Sequence, residues 1–275
     1  MTEPISSFNC PVCEAPLTAN DTGLACEANH SFDRAKEGYV NLLLSHQRKS
    51  KQAGDSPEMV QDRIAFFAND HYAPLLDAIS ATVASDAKTI LDVGCGTGEV
   101  LQHLRAARPE ARCAGIDISK PAIKAAARAY KDIDWAIGNL KRKLPIASES
   151  INVLINVMSP RHAEEFARIL KPDGTLLMVV PATGHLGALR ERLLKDPEPP
   201  ADKTTRAEQD LASHFTLQDK QTIAFPLALD QAGIGQLIGM TPLTWKSKRD
   251  AVNEVKKLTH LKVEARFELL RFMRA

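Results

Sequence analysis

Three cysteines and a histidine stand within the first 30 residues, spaced Cys10-x2-Cys13, then twelve residues, then Cys26-x3-His30. A C-x2-C pair on a tight turn presents two thiolates at adjacent corners of a tetrahedron. A second knuckle supplies the other two donors, and Zn²⁺ suits such a Cys3His set. A redox C-x-x-C is expected after a strand in a thioredoxin-like context, and the sequence around Cys10 shows no such context. Three reduced cysteines beside an unrelated surface histidine fit less well, because both half-sites have ligand spacing. Four protein ligands leave no open position, so the expected zinc is structural. The segment from Cys10 to His30 is too short to bury a core, so metal binding would supply its folding energy.

The second stretch with chemistry is KTILDVGCGTGEVLQHL, residues 88 to 104. Thr89 to Val93 predicts a short strand, Gly94-Cys95-Gly96-Thr97-Gly98 a turn, and Glu99 to Ala106 a helix. The layout is that of a mononucleotide-binding unit at the carboxyl edge of a parallel sheet. Asp92 places an acid before the loop and is expected to orient it. Asp117 ends the next strand, 19 residues after Gly98, where a carboxylate can take both hydroxyls of a ribose. This acid-x-Gly-x-Gly-x-Gly spacing with a second acid resembles class I S-adenosylmethionine (SAM) methyltransferases. A dehydrogenase more often carries G-x-G-x-x-G, and here Glu99 stands at the sixth position. Asp92, Gly94, Gly96, Thr97, Gly98 and Asp117 make up the expected cofactor cradle.

The elements that must position these groups alternate along the chain. A third strand ends near Ile137, and its loop, Gly138-Asn139-Leu140, is where enzymes of that class flank the adenine. Ile151 to Val157 is nearly all apolar, as for a strand buried on both faces. A helix, a turn at Lys171-Pro172-Asp173-Gly174 and a fifth strand follow. FTLQDKQTIAFPLALD and HLKVEARFELLRFMRA supply two last strands, and residues 196 to 210, polar and holding three prolines, read as a loop. The expected fold is α/β: a Rossmann-like seven-stranded sheet with a small N-terminal zinc-binding domain. The expected divisions are 1–45 for the zinc-binding, RNA-recognition domain, 46–84 for a linker and lead-in helices, and 85–275 for the methyltransferase domain.

In this architecture the substrate meets the methyl group just past the fourth strand, here Asn156 to Pro160. Methylases of exocyclic amines often carry an acid or Asn, two prolines and an aromatic there. Ser159-Pro160-Arg161, with no aromatic, disfavours that reaction. Asn156, the one candidate catalytic residue, can hydrogen-bond a base or the cofactor, or cap the turn. His185 follows the fifth strand on the same edge. Tyr72, in ANDHYAPLLDAI, reads as part of the apolar face of a lead-in helix.

Composition narrows the partners. Hydrophobic residues make up 44%, charged residues 25%, and the net charge is +1, so no global field favours nucleic acid. Local basic groups exist at Arg48, Lys49 and Lys51, at Lys141, Arg142 and Lys143, and at Lys246, Lys248 and Arg249. No apolar run approaches the roughly 18 residues of a membrane span. The N-terminus lacks the basic and apolar regions of a signal peptide, so a cytoplasmic location is expected.

Taken end to end, the chain resembles the ribosomal RNA large-subunit methyltransferase A family. The zinc pattern, FDRAKEGYVNLL (32–43), GDSPEMVQDRIAFFANDHYAPL (54–75), LDVGCGTG, DISKPAIKAAA (117–127), LKPDG and MTPLTWK (240–246) carry the resemblance. It implies methylation of N1 of an unpaired guanine in a 23S rRNA hairpin loop. The alternative is a SAM-dependent enzyme acting on a small molecule or another RNA. It also implies a structural zinc at Cys10, Cys13, Cys26 and His30, SAM contacts from Gly96, Thr97, Tyr72 and His185, and a homodimer. The tract Ser159 to Arg161 departs from the Pro-Cys expected of the family. HQRKSKQ, which holds Arg48, Lys49 and Lys51, is the strongest candidate RNA contact.

Overall fold

The computed structural model describes residues 5–45, 53–194, 202–243 and 247–275. Its first part is a small antiparallel sheet of β1 (Ile5–Asn9), β2 (Pro16–Ala19), β3 (Gly23–Ala25) and β4 (Ser31–Asp33), in that order. Phe8, Leu17 and Leu24 are its buried apolar residues. Three such side chains cannot stabilise a domain alone, so the sheet leans on the rest of the chain. Asn9 N–H donates to Pro145 O at 2.8 Å, and Ser7 Oγ to Asp134 Oδ2 at 2.7 Å. Phe8, Leu17 and Leu24 share one apolar cluster with Leu140, Leu144, Ile146 and Phe166. Further on, the buried Glu37 carboxylate lies 3.4 Å from both Lys124 and Arg128.

The main sheet is built from β5 (Val40–Asn41), β6 (Thr89–Val93), β7 (Arg112–Asp117), β8 (Asp134–Ile137), β9 (Ile151–Val157), β10 (Leu170–Pro181), β11 (Phe215–Asp230) and β12 (His260–Arg274). Their order is β11-β12-β10-β9-β6-β7-β8-β5. The seven expected strands are all present, and β5 adds an eighth by pairing in parallel with β8. β6 has parallel neighbours on both sides and four buried residues in five, which is why its sequence is apolar apart from Thr89 at its start and the buried Asp92. β11 and β12 form a long antiparallel hairpin, and β12 pairs with β10. The order reverses at β6, between β7 and β9. Ligands of open α/β sheets bind at the carboxyl ends beside such a switch point.

Helices α1 (Pro57–Ala68) and α2 (Ala73–Thr82) precede β6, and α3 (Glu99–Ala107) and α4 (Lys120–Ala129) follow β6 and β7. Ser56 caps α1 by accepting the Met59 N–H, with Pro57 at the first helical position where its missing donor costs nothing. Ser119 caps α4 in the same way. The remaining helices are α5 (Ala163–Ile169), α6 (Gly187–Leu193), α7 (Lys203–Leu211), α8 (Gln231–Met240) and α9 (Arg249–Lys256).

Two local expectations are corrected. Residues 203 to 210, part of the 196–210 stretch read as loop from polarity and prolines, belong to α7, whose N-cap Asp202 accepts the N–H groups of Thr204 and Thr205. The Lys171 to Gly174 turn lies inside β10, as an irregularity between Leu170 and Thr175 in the pairing with β9.

Candidate functional site

The four N-terminal donors come together. Cys13 Sγ and Cys26 Sγ are 3.6 Å apart, and His30 Nδ1 lies 3.6 Å from Cys10 Sγ and 3.4 Å from Cys26 Sγ. All four ligand atoms lie within 4.8 Å of one another. Zn–S bonds of about 2.3 Å and Zn–N bonds of about 2.0 Å in a tetrahedron require edges of about 3.5–3.8 Å. The set therefore fits zinc, with His30 ligating through Nδ1. The knuckles show how the sequence makes it. Val12 N–H points at Cys10 Sγ, and Glu14 N–H donates to Cys10 O. Asn29 N–H donates to Cys26 O in the second knuckle.

The glycine loop caps β6 and opens into α3. Gly94 has φ +81°, and a Cβ there would lie 2.4 Å from Ser159. The loop can therefore press against the turn after β9 only with glycine at this position. Gly98 caps α3 at φ +91°, and a Cβ would meet Trp135 at 2.6 Å. Asp117 ties the first two loops together: its carboxylate accepts the Gly96 N–H at 3.0 Å and the Ser119 N–H at 2.7 Å. Thr97 is buried and donates its hydroxyl to Glu99 at 2.6 Å. Asn139 accepts the Lys141 N–H, and the buried Leu140 faces Gly94.

This cradle gathers three carboxyl groups. Burial raises the pKa of Asp92 well above the carboxylate range, and the charges of Asp117 and Glu99 raise it further. Burial likewise raises Glu99 and Asp117. Asp92 Oδ1 is buried and has no hydrogen-bond partner among the described residues. Crowded, desolvated acids favour a cationic ligand, and SAM carries a sulfonium and an ammonium.

One residue that sequence reasoning missed stands over the loop. Arg63 on α1 pairs with Asp55 at 2.6 Å, and its side chain lies 3.9 Å from the Cβ position of Gly96. Asp55 in turn accepts the Ser119 hydroxyl through its backbone oxygen at 2.8 Å. Only the GDSPEM stretch hinted at this lid, and it gave no role to Arg63.

Tyr72 is buried at the N-cap of α2 rather than on a helix face, edge-on to Phe66, Phe67, Phe225 and Phe267. Burial raises its phenol, so the hydroxyl stays protonated. Phe267 also meets His185, at 4.6 Å between ring centres. Tyr72 and His185, far apart in sequence, thus share one aromatic wall. Arg266 N–H donates to His185 Nδ1 at 3.1 Å. That bond needs an unprotonated Nδ1, which leaves the proton on Nε2. Burial, with the charges of Lys203 and Arg190, lowers the His185 pKa to about 4. The ring is therefore a neutral donor and not a base.

This histidine predicts a pH effect. The unfolded side chain titrates near 6.5 and the folded one near 4. Between those values the unfolded chain binds a proton that the folded chain refuses, so stability falls as pH drops from 6.5 towards 4. The limit is about 3 kcal/mol. Denaturant melts at pH 7.5 and 5 are expected to show a smaller acid loss for His185→Gln than for the parent chain. An equal loss in both would contradict this placement.

Asn156 is buried, and its Nδ2 donates to Ser159 Oγ at 2.6 Å, Pro160 O at 3.2 Å and Val93 O at 3.3 Å. Of the two readings open for it, capping of the turn is the one these contacts describe. Lys141 and Arg142 are exposed on the loop where the zinc unit docks, and Lys143 pairs with Glu14 at 2.6 Å. Lys248 and Arg249 are exposed at the start of α9, while Arg48, Lys49, Lys51 and Lys246 lie outside the described residues. No helix among the described residues is long and apolar enough to cross a membrane.

Known proteins match both halves of this arrangement. The family described as "RlmA, N-terminal", a zinc ribbon, matches residues 8–51, and "Methyltransferase domain" matches residues 90–174. The 23S rRNA (guanine(748)-N(1))-methyltransferase of Streptomyces fradiae is 35% identical over 88% of this chain and 87% of its own length. YxjB of Bacillus subtilis (strain 168), which carries a 23S rRNA (guanine-N(1)-)-methyltransferase name provisionally, is 32% identical over 96% of each chain. Among solved structures, the complex between the Haloferax volcanii Trm112 methyltransferase activator and a methyltransferase aligns with TM-score 0.52 and 21% identity. It covers 78% of this chain and 93% of that one, a likeness of fold alone. The chain is a SAM-dependent methyltransferase with a zinc ribbon.

Proposed function

Since the chain belongs to the 23S rRNA (guanine-N1-)-methyltransferase family, we propose that it methylates N1 of an unpaired guanine in a 23S rRNA hairpin loop. The observation that carries the reading is the docking of the zinc unit. It sits on the 134–145 segment, whose residue Leu140 also borders the glycine loop at Gly94. An RNA held by the ribbon and by Lys141 and Arg142 would lie beside the reacting centre. A small acceptor needs neither feature.

N1 of guanine carries a proton and lies on the Watson–Crick edge, so the base must be unpaired or turned out to react. When bound, SAM supplies an electrophilic methyl group on a sulfonium. Asp117 would hold the ribose hydroxyls, Asp92 and Glu99 would face the cofactor's positive charge, and Arg63 stands over the loop. Tyr72 and neutral His185 line the wall towards the fifth strand. Asn156 fixes the turn that frames the incoming base and so acts as a positioning residue. The described residues place no free carboxylate at that turn, so the N1 proton leaves to solvent. The enzyme's share is alignment of N1 with the methyl group. The reading includes a cytoplasmic homodimer.

Reverse transcription across unmodified 23S rRNA incubated with the protein and SAM tests it. N1-methylguanine blocks pairing, so one new stop within a hairpin loop is expected. No stop, with SAM turnover on a small acceptor, would overturn it. The basic loop gives a second expectation. Lys141→Ala with Arg142→Ala should weaken RNA binding about tenfold at moderate salt. The slope of log affinity against log salt should flatten by about 1.5, the value of two lost phosphate contacts. SAM affinity should be unchanged, and an unaltered salt slope would remove these residues from the interface.

A further inference from the structure

Met158 follows the last residue of β9, and its N–H donates to Val179 O at 2.9 Å as the last rung of that parallel ladder. Its φ is then +52°. A left-handed backbone is uncommon for a long side chain and free for glycine, so the turn is strained by the residue it carries. The side chain belongs to neither apolar cluster of the core. It is 43% exposed, one of three large apolar residues in the open among the described residues, with Val12 and Ile64.

The turn itself is rigid. Asn156 Nδ2 bonds Ser159 Oγ, Pro160 O and Val93 O, and Ser159 Oγ donates to Val93 O at 2.7 Å. Ser159 also fills the space that a Cβ on Gly94 would need. Met158 is thereby held out at a fixed height beside the first glycine of the cofactor loop. A strained backbone that displays an exposed thioether at the substrate end of the central strand has no folding rationale. A contact made only when substrate is present supplies one.

We propose that Met158 is the surface against which the target guanine packs when it leaves the RNA stack, and that this contact sets N1 in line with the methyl group. The inference rests on the guanine-N1 reading. An extruded purine loses its stacking neighbours and needs an apolar face in their place. An unbranched, polarizable thioether conforms to an aromatic face. Met158 is then a base-contacting residue that selects for a flat purine rather than for SAM.

Glycine separates a substrate contact from a structural role, because Met158→Gly relieves the strain while removing the side chain. Melting temperature, SAM affinity by calorimetry and single-turnover methylation of 23S rRNA are measured for the parent, Met158→Gly and Met158→Leu. The glycine variant is expected to melt no lower than the parent and to bind SAM within twofold. Its methylation is expected to be about tenfold slower, and the leucine variant to stay within about threefold of the parent. A glycine variant that methylates at the parent rate would overturn the proposal. So would one that loses SAM affinity or stability in proportion to activity. No methylation of 23S rRNA by the parent chain would instead remove the guanine-N1 reading on which the proposal stands.

Discussion

Cys26→Ser is expected to abolish zinc binding and to lower 23S rRNA methylation at least a hundredfold, while SAM affinity falls only a few fold. Cys26 is buried and sits 3.4 Å from His30 Nδ1 and 3.6 Å from Cys13 Sγ, so its loss removes one corner of the tetrahedron. Structural zinc contributes about 10–16 kcal/mol of binding free energy in small zinc domains. The small sheet has three large buried apolar side chains of its own and cannot replace that. The SAM cradle is formed by loops after β6, β7 and β8, and by α1, none of which carries a metal ligand. The damage should therefore fall on RNA presentation. Zinc content by atomic absorption, calorimetry with SAM and single-turnover methylation read the three quantities separately. Full rRNA activity in a zinc-free Cys26→Ser protein would contradict the role assigned to the ribbon.

Asp117→Ala is expected to weaken SAM binding by more than a hundredfold with the fold retained. The carboxylate accepts two backbone N–H groups, from Gly96 and Ser119, and so holds the glycine loop against the loop after β7. Hydrogen bonds to a charged group contribute about 1.5–3 kcal/mol each, and loss of the acceptor leaves two donors unsatisfied in a buried setting. The ribose loses its acceptor at the same time. Asp117→Asn keeps the shape but turns an NH2 towards one of those donors, so it should be impaired by about tenfold or more. Calorimetry with SAM, alongside far-ultraviolet circular dichroism to monitor the fold, checks both variants. SAM affinity within threefold of the parent for Asp117→Ala would show that the ribose is held elsewhere.

Much of this was legible because the chemistry is written in local spacing. The zinc donors are paired on two short turns, and β6, its glycine loop and α3 are contiguous, so residues 88 to 107 could be read without tertiary knowledge. β9 is apolar over nearly its full length, and β11 alternates buried and exposed residues from Ile223 to Asp230, where its pattern marks the strand. Reading failed where a long-range contact decides. The eighth strand is two residues long and exists only because β8 offers a free edge. Tyr72 looked like one apolar helix residue among several, yet it stands at a helix N-cap amid four aromatic rings drawn from α1, β11 and β12. Arg63 carries no local signal, since its role comes from the fold of α1 over Gly96. The helix α7 was hidden by composition, because a single Asp202 cap outweighs a polar, proline-flanked sequence. For Asn156, both readings were chemically sound from sequence, and only its three acceptors show which contacts it makes.

The central claim is that this fold places N1 of a 23S rRNA guanine at the methyl group of SAM. The most direct measurement is mass spectrometry of nucleosides from unmodified 23S rRNA after incubation with the protein and isotopically labelled SAM. The account predicts one labelled 1-methylguanosine per RNA molecule, and its absence when the reaction is run with Asp117→Ala. Label recovered as an exocyclic methylguanosine or as a methylated pyrimidine, or found only on a small acceptor, would contradict it.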